Sequence, residues 1–115
     1  MEISKSLLSG SLSLLLLRLL EEEDMYGHQM IATLKQRSDD TFALKAGTLY
    51  PLLHNLEKQG AVQTYEKTAE TGRLRIYYSI TPEGRGILHE KKTEWNTFTK
   101  AVSRVLEGGQ ACATA

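Results

Sequence analysis

The segment from Gly47 to Gly60, GTLYPLLHNLEKQG, constrains this chain more than any other. Leu49, Leu52, Leu53 and Leu56 fall at i, i+3, i+4 and i+7, so a helix here gathers all four on one face. At about 100° per residue, Gly47, Pro51, His54 and Lys58 occupy the opposite face, flanked by Tyr50 and Asn55. Such a helix needs a core behind its leucines and leaves small, rigid, aromatic and polar groups in front. Pro51 requires either a regular helix beginning near Thr48 or a bent opening, because a proline deeper inside costs about 3 kcal/mol. Gly60 supplies a left-handed stop.

The flanking sequence provides the rest of that core. A leucine-rich helix is expected from about Ser4 to Glu22. Asp24 is placed to cap a second helix with Tyr26, Met30, Ile31 and Leu34 on its apolar side, and Ser38-Asp39-Asp40 closes that helix in a polar loop. After Gly60 comes a hairpin: a strand from Val62 to Tyr65, a turn holding Glu70-Thr71-Gly72, and the alternating run Arg73 to Ile80. Leu74, Ile76, Tyr78 and Ile80 are expected on the core face of that run, with Arg73, Arg75, Tyr77 and Ser79 on the other. Thr81-Pro82-Glu83 combines a capping hydroxyl, an N1 proline and a first-turn acid, and so opens a helix reaching about Glu107. Leu88, Trp95 and Val102 recur every seven residues on it, as do Phe98 and Val105. About 24 helical residues span ~36 Å, more than a small domain covers, so this seam needs another surface.

Three helices, a hairpin and a further helix define a mainly α chain with a small β-hairpin: a winged helix-turn-helix with a long C-terminal dimerisation helix. Residues 1–82 are assigned to the DNA-binding domain, 83–107 to the dimerisation helix and 108–115 to a flexible tail. A major groove admits a helix, and the outer face of the Gly47–Gly60 helix suits one. Gly47 and Thr48 let a helix N-terminus approach phosphate. Tyr50, His54 and Asn55 offer hydrogen bonds and apolar edges to bases or sugars, Lys45 and Lys58 can neutralise phosphates, and Arg73 and Arg75 reach from the wing to backbone or minor groove.

Composition excludes several other classes. The run Leu12 to Leu20 is broken by Ser13 and Arg18 and is too short for a membrane span. MEISKS has no basic segment followed by a cleavage site, and the single cysteine, Cys112, cannot form an internal disulfide, so a cytoplasmic protein is expected. The formal charge of zero hides a polarity: residues 1–44 are net acidic, whereas residues 45–92 are net basic. His28, His54 and His89 lack metal-ligand spacing, and no nucleophile–base set or Gly-rich phosphate loop is visible. No metal, no cofactor and no enzymatic activity are expected. Glu21 to Asp24 read as a solvated loop.

Taken together, several motifs resemble those of the PadR family of transcriptional regulators. They are Met25-Tyr26-Gly27-His28, Gly47 to Leu53, Leu56 to Gly60, Gly72-Arg73, Tyr77-Tyr78, Ile80 to Gly84, and Trp95. The resemblance covers nearly the whole chain, and its short length is similar to that of the small LmrR-like subfamily. It implies a homodimeric winged-helix repressor of an inverted repeat, in some members released from DNA by a small, planar aromatic compound. It places Tyr26, Thr48, Tyr50, Pro51, Gly72 and Arg73 at the DNA, with Ile76 where many relatives have lysine. It sets Trp95 at a dimer centre able to stack on flat ligands, in a pore with Leu7, Ser13, Leu14, Phe98 and Thr99.

Simpler roles stand beside these. Trp95 also serves as seam packing against its symmetry mate, Tyr50 as a filler between the second and third helices, and Tyr77-Tyr78 as strand packing. A winged helix can also act as a protein-interaction adaptor whose basic face meets an acidic partner.

Overall fold

The computed structural model describes residues 3–108, with Cys112 and most of the tail outside that range. Its elements are α1 (Lys5–Ser9), α2 (Leu12–Glu22), β1 (Met25–Tyr26), α3 (Gly27–Arg37), α4 (Ala46–Lys58), β2 (Val62–Thr68), β3 (Leu74–Ile80) and α5 (Pro82–Leu106). The leucine stripe of α4 lies at the centre. Leu49, Leu53 and Leu56 are buried against Leu16, Leu17 and Leu20 of α2, Met30 and Leu34 of α3, and Leu88 of α5, while Leu52 packs at the margin. Each such side chain contributes roughly 1.5–3 kcal/mol when withdrawn from water, so this layer dominates the stability of the fold.

The N-terminal helix is divided, where one continuous helix was expected. Gly10 is a poor helix former, and Ser11 bonds back to the Leu8 carbonyl through both its N–H (3.0 Å) and its hydroxyl (3.1 Å). That local competition ends α1 before α2 begins. Asp24 does not cap α3. The chain runs extended through Met25-Tyr26 as a third strand, and Tyr26 becomes the N-cap residue. The Tyr26 N–H donates to Gln29 Oε1 at 3.4 Å. The expected solvated acidic loop is also revised: Glu21 and Glu22 complete α2 and form ion pairs. Glu21 meets Arg18 at 3.5 Å and Lys92 at 3.6 Å, and Glu22 meets Arg18 at 3.5 Å and also Arg37.

α4 opens on a tightened turn in which the Lys45 carbonyl accepts from both Thr48 (2.9 Å) and Leu49 (3.0 Å). Pro51 falls one turn further in and denies the Gly47 carbonyl its intrahelical donor. Gly47 is exposed, so water can take that place.

The sheet is antiparallel with order β1-β3-β2. Gly72, at φ 84°, makes the wing turn, in a conformation that costs a side-chain-bearing residue. Alternation along β3 predicted a core face including Leu74 and Ile76, yet these are 57% and 53% exposed. The outer half of the hairpin is left uncovered on that face, so only Tyr78 and Ile80 reach the core.

The Thr81 hydroxyl accepts from the Gly84 N–H at 2.9 Å and donates to the Gly60 carbonyl at 2.5 Å, joining the start of α5 to the end of α4. Gly84 lies so close to Ala61 that a Cβ there would sit 2.9 Å from the Ala61 carbonyl carbon. Leu88, expected in the dimer seam, is 1% exposed and belongs to the core of its own chain. Proximity to α2 decides this: α5 outruns α2, and from Trp95 onward the seam is uncovered, with Trp95 41% and Val105 80% exposed. The molecule measures 65 × 31 × 21 Å as a result. Among the described residues, no helix is long and apolar enough to cross a membrane.

Candidate nucleic-acid interface

With its leucines committed inward, α4 presents Gly47, Thr48, Tyr50, Pro51, His54, Asn55 and Lys58 to solvent, with Lys45 exposed just before them. Tyr50 takes the packing role between the second and third helices while keeping part of its ring open to solvent. It is 41% exposed, yet its ring lies over Gly27, where an added Cβ would come within 2.7 Å of Tyr50 Cζ. The glycine therefore lets α3 and α4 meet through a tyrosine. Burial, helped by the nearby Tyr50 and Glu57, pushes the Tyr78 phenol above its ordinary value.

Between α3, α4 and the wing lies an open cleft of ≈ 410 Å³, lined in part by Tyr26, His28, Tyr50, Arg73, Arg75 and Ile76. The fold thus brings Tyr26, Tyr50, Arg73 and Arg75 together. Lys45, Thr48, His54, Asn55 and Lys58 continue along α4 outside the cleft, and Gly72 sits at the wing turn. His28 and Leu74 were not among the expected site residues, and Ile76 was expected both on the core face by alternation and, by resemblance, at a wing position where many relatives have lysine. The signal for His28 was its position two residues after Tyr26; for the two aliphatic residues, the strand pattern gave the right face but could not show that this face is left uncovered there.

The polar face of the sheet carries an aromatic row. Tyr26 and Tyr65 are both register partners of Tyr77. Tyr26 meets Tyr77 edge-on at 5.5 Å, and Tyr77 stacks on Tyr65 at 5.6 Å. The Arg75 guanidinium lies 4.2 Å from the Tyr26 ring centre, and Lys67 Nζ lies 5.4 Å from that of Tyr77. At the far end Tyr65 donates to Asp24 Oδ2 at 2.7 Å, and this hydrogen bond holds its phenol above the usual value.

A second cleft, of ≈ 420 Å³, lies between the N-terminal helices and α5, lined by Leu7, Gly10, Leu14, Lys91, Glu94, Trp95 and Phe98. It includes four of the six residues expected to line a pore. Ser13 and Thr99 stand outside its lining, and the Thr99 hydroxyl is engaged with the Trp95 carbonyl at 3.0 Å. Among the described residues, no group of three His, Cys, Asp or Glu side chains could hold a metal ion.

A helix-turn-helix whose second helix keeps a solvent-facing side, followed by a two-arginine hairpin, defines the winged-helix class. Within that class, residues 16–90 match the model of the transcriptional regulator PadR-like family, and the chain belongs to this family. A transcriptional regulator from Clostridium thermocellum superposes with a TM-score of 0.81 at 33% identity, covering 89% of this chain and 96% of that one. A PadR family transcriptional regulator from Eggerthella lenta gives a TM-score of 0.76 at 32% identity over 89% of this chain and 87% of its own. Over 70 residues the chain is 36% identical to a transcriptional regulator of Mycobacterium tuberculosis, a match spanning 61% of each. These relatives are regulators of transcription, not enzymes.

Proposed function

We propose that the protein is a homodimeric repressor that binds an inverted-repeat operator through α4 and the wing, in the cytoplasm and on the nucleoid. The observation that carries this reading is a pair of surfaces left open by one fold: the outer side of α4 beside Arg73 and Arg75, and the seam of α5 beyond Leu88. The second copy of the chain is the occupant suited to that seam. Trp95, Phe98, Val102 and Val105 are apolar at heptad-like spacing, and two-fold pairing buries the same stripe on both partners. Pairing sets the two α4 helices at a fixed separation, and successive major grooves on one side of a duplex lie about 34 Å apart.

Lys45, Lys58, Arg73 and Arg75 serve phosphates, with Gly47, Thr48, Pro51 and Gly72 allowing close approach, whereas Tyr26, Tyr50, His54 and Asn55 face bases or sugars. A flat aromatic compound fits the chemistry of the cleft at Trp95, with Leu7, Leu14 and Phe98 beside it. Such a ligand lowers operator affinity only to the extent that it favours a dimer geometry unsuited to DNA.

The test is a gel shift with DNA upstream of the protein's own gene across a salt series, alongside sedimentation of the free protein. A dimer that retards this DNA ahead of random duplex is expected. A monomer, or equal affinity for both DNAs, overturns the reading, and capture of an acidic protein without DNA retardation would establish an adaptor instead.

A further inference from the structure

Lys67 and Arg75 are direct register partners on β2 and β3, so two cations stand opposite one another on the same sheet face. Like charges in that relation are unfavourable unless something separates them or an anion joins them. Here each cation leans over a tyrosine, Arg75 over Tyr26 and Lys67 over Tyr77, and the rings themselves are in contact. A cation held over a ring face gains electrostatic attraction and loses part of its conformational freedom before any ligand arrives. Tyr65 ends the row, and Asp24 fixes Tyr65 through its hydroxyl. Among the described residues, neither Lys67 nor Arg75 has a carboxylate within ion-pairing distance, whereas Arg18, Arg37 and Lys92 do.

We propose that the polar face of the wing is a phosphate-binding surface, with Lys67 and Arg75 as its paired cations and Tyr77 as the residue that positions them. It rests on the DNA-binding reading above and extends it to Lys67, Tyr77, Tyr65 and Asp24. The occupant is the sugar–phosphate backbone of the operator duplex beside the groove that α4 enters. The phosphates join the like-charged pair, and the tyrosine row presets the spacing of its two cations.

Two measurements on the full chain test this. In the first, operator affinity is followed by fluorescence anisotropy across a salt series. Lys67→Ala is expected to weaken binding about five- to tenfold and to lower the salt slope by about 0.9, the amount released with one phosphate contact. Tyr77→Leu, which changes no charge, weakens binding about threefold, Tyr77→Phe restores it, and the loss disappears when Lys67 and Arg75 are both alanine. In the second, made without DNA, the Arg75 Nε–H and Lys67 ε-methylene proton resonances are read by NMR. Ring currents displace both in the parent protein, and Tyr77→Leu returns Lys67 to its ordinary position.

An unchanged salt slope in Lys67→Ala, while Lys58→Ala lowers it, overturns the proposal and leaves the DNA-binding reading intact. Equal losses from Tyr77→Leu with and without the two cations reduce Tyr77 to sheet packing and also overturn it. Failure of the parent protein to bind DNA defeats the wider reading, and undisplaced resonances defeat the positioning role independently of DNA.

Discussion

α4 and the distal half of α5 carry the same kind of apolar stripe and meet opposite fates. On α4, Leu49, Leu53 and Leu56 are no more than 1% exposed; on α5, Trp95, Phe98, Val102 and Val105 remain open to solvent. Residue type does not account for this, since tryptophan and phenylalanine bury at least as much area as leucine. Reach does. α2 has 11 residues and α5 has 25, so at about 1.5 Å per residue α5 outruns its neighbour by roughly 20 Å. Leu88 falls where α2 still covers it, and Trp95, two turns further on, presents most of the stripe to whatever lies outside the chain. A helical stripe therefore specifies that something apolar must cover it, while the length of the neighbouring elements decides whether the cover is internal.

Substitutions on each stripe should separate these fates. Leu53→Ala is expected to produce the largest effect, about 2–5 kcal/mol of lost stability from lost burial and a residual cavity. Urea unfolding at one protein concentration reads it, and a loss below 1 kcal/mol would contradict the central position of this residue. Trp95→Ala should act on association instead. Truncating a central interface anchor costs about 2 kcal/mol or more, hence about thirtyfold or more in dimer dissociation, visible by sedimentation at low micromolar concentration. An undiminished dimer would remove Trp95 from the interface.

Glycines give a similar contrast on a smaller scale. Gly84→Ala forces a methyl group against the Ala61 backbone and should cost about 1–3 kcal/mol, with the start of α5 displaced from α4. Gly47→Ala meets nothing within 4 Å and should be neutral or stabilising by up to about 1 kcal/mol. Thermal unfolding of the two variants checks both signs, and the same sign for both would defeat the distinction. Gly47→Ala should nevertheless weaken operator binding if close approach of phosphate to the α4 N-terminus matters.

The order of helices and hairpin was legible in the sequence because each signal was local: leucine spacing on α4, alternation on β3, and a capping Thr-Pro-Glu at α5. What escaped depended on distant parts of the chain. Met25-Tyr26 became a strand because Tyr77-Tyr78 lay alongside it, and two residues are too few for a periodic pattern to show. Leu74 and Ile76 alternate as core residues do, but burial requires a helix packed on them, and an open cleft separates this part of the wing from α3 and α4. Tyr50 was understood at the level of its alternatives, and only the absence of a side chain at Gly27 shows how one ring can pack and remain accessible. Lys67 carried no signal of its own; its register with Arg75 becomes visible only once β2 and β3 are paired.

The smallest expected effect concerns charge, which also divides the two regions. Among the described residues, the ion pairs run from α2 to Arg37 of α3 and to Lys92 of α5, and none lies beyond Lys92. Glu22 is held below the ordinary carboxylate value of 4.5, first by its hydrogen bond from Arg37 and then by the charges of Arg37 and Arg18. Its folded value is depressed, so its contribution to stability is fully present above the unfolded value and is lost as pH falls through the lowered folded one. At an exposed site solvent screens the pair, and the change in unfolding midpoint should be slight. The carboxyl carbon of Glu22, followed by NMR, gives a sharper measurement. Arg37→Ala should move its titration midpoint upward toward 4.5, whereas Lys92→Ala, which removes a partner of Glu21, should leave it in place. If both variants shift Glu22 equally, the α2–α3 contact is not a discrete pair, and the acidic end of α2 responds only to the net charge around it.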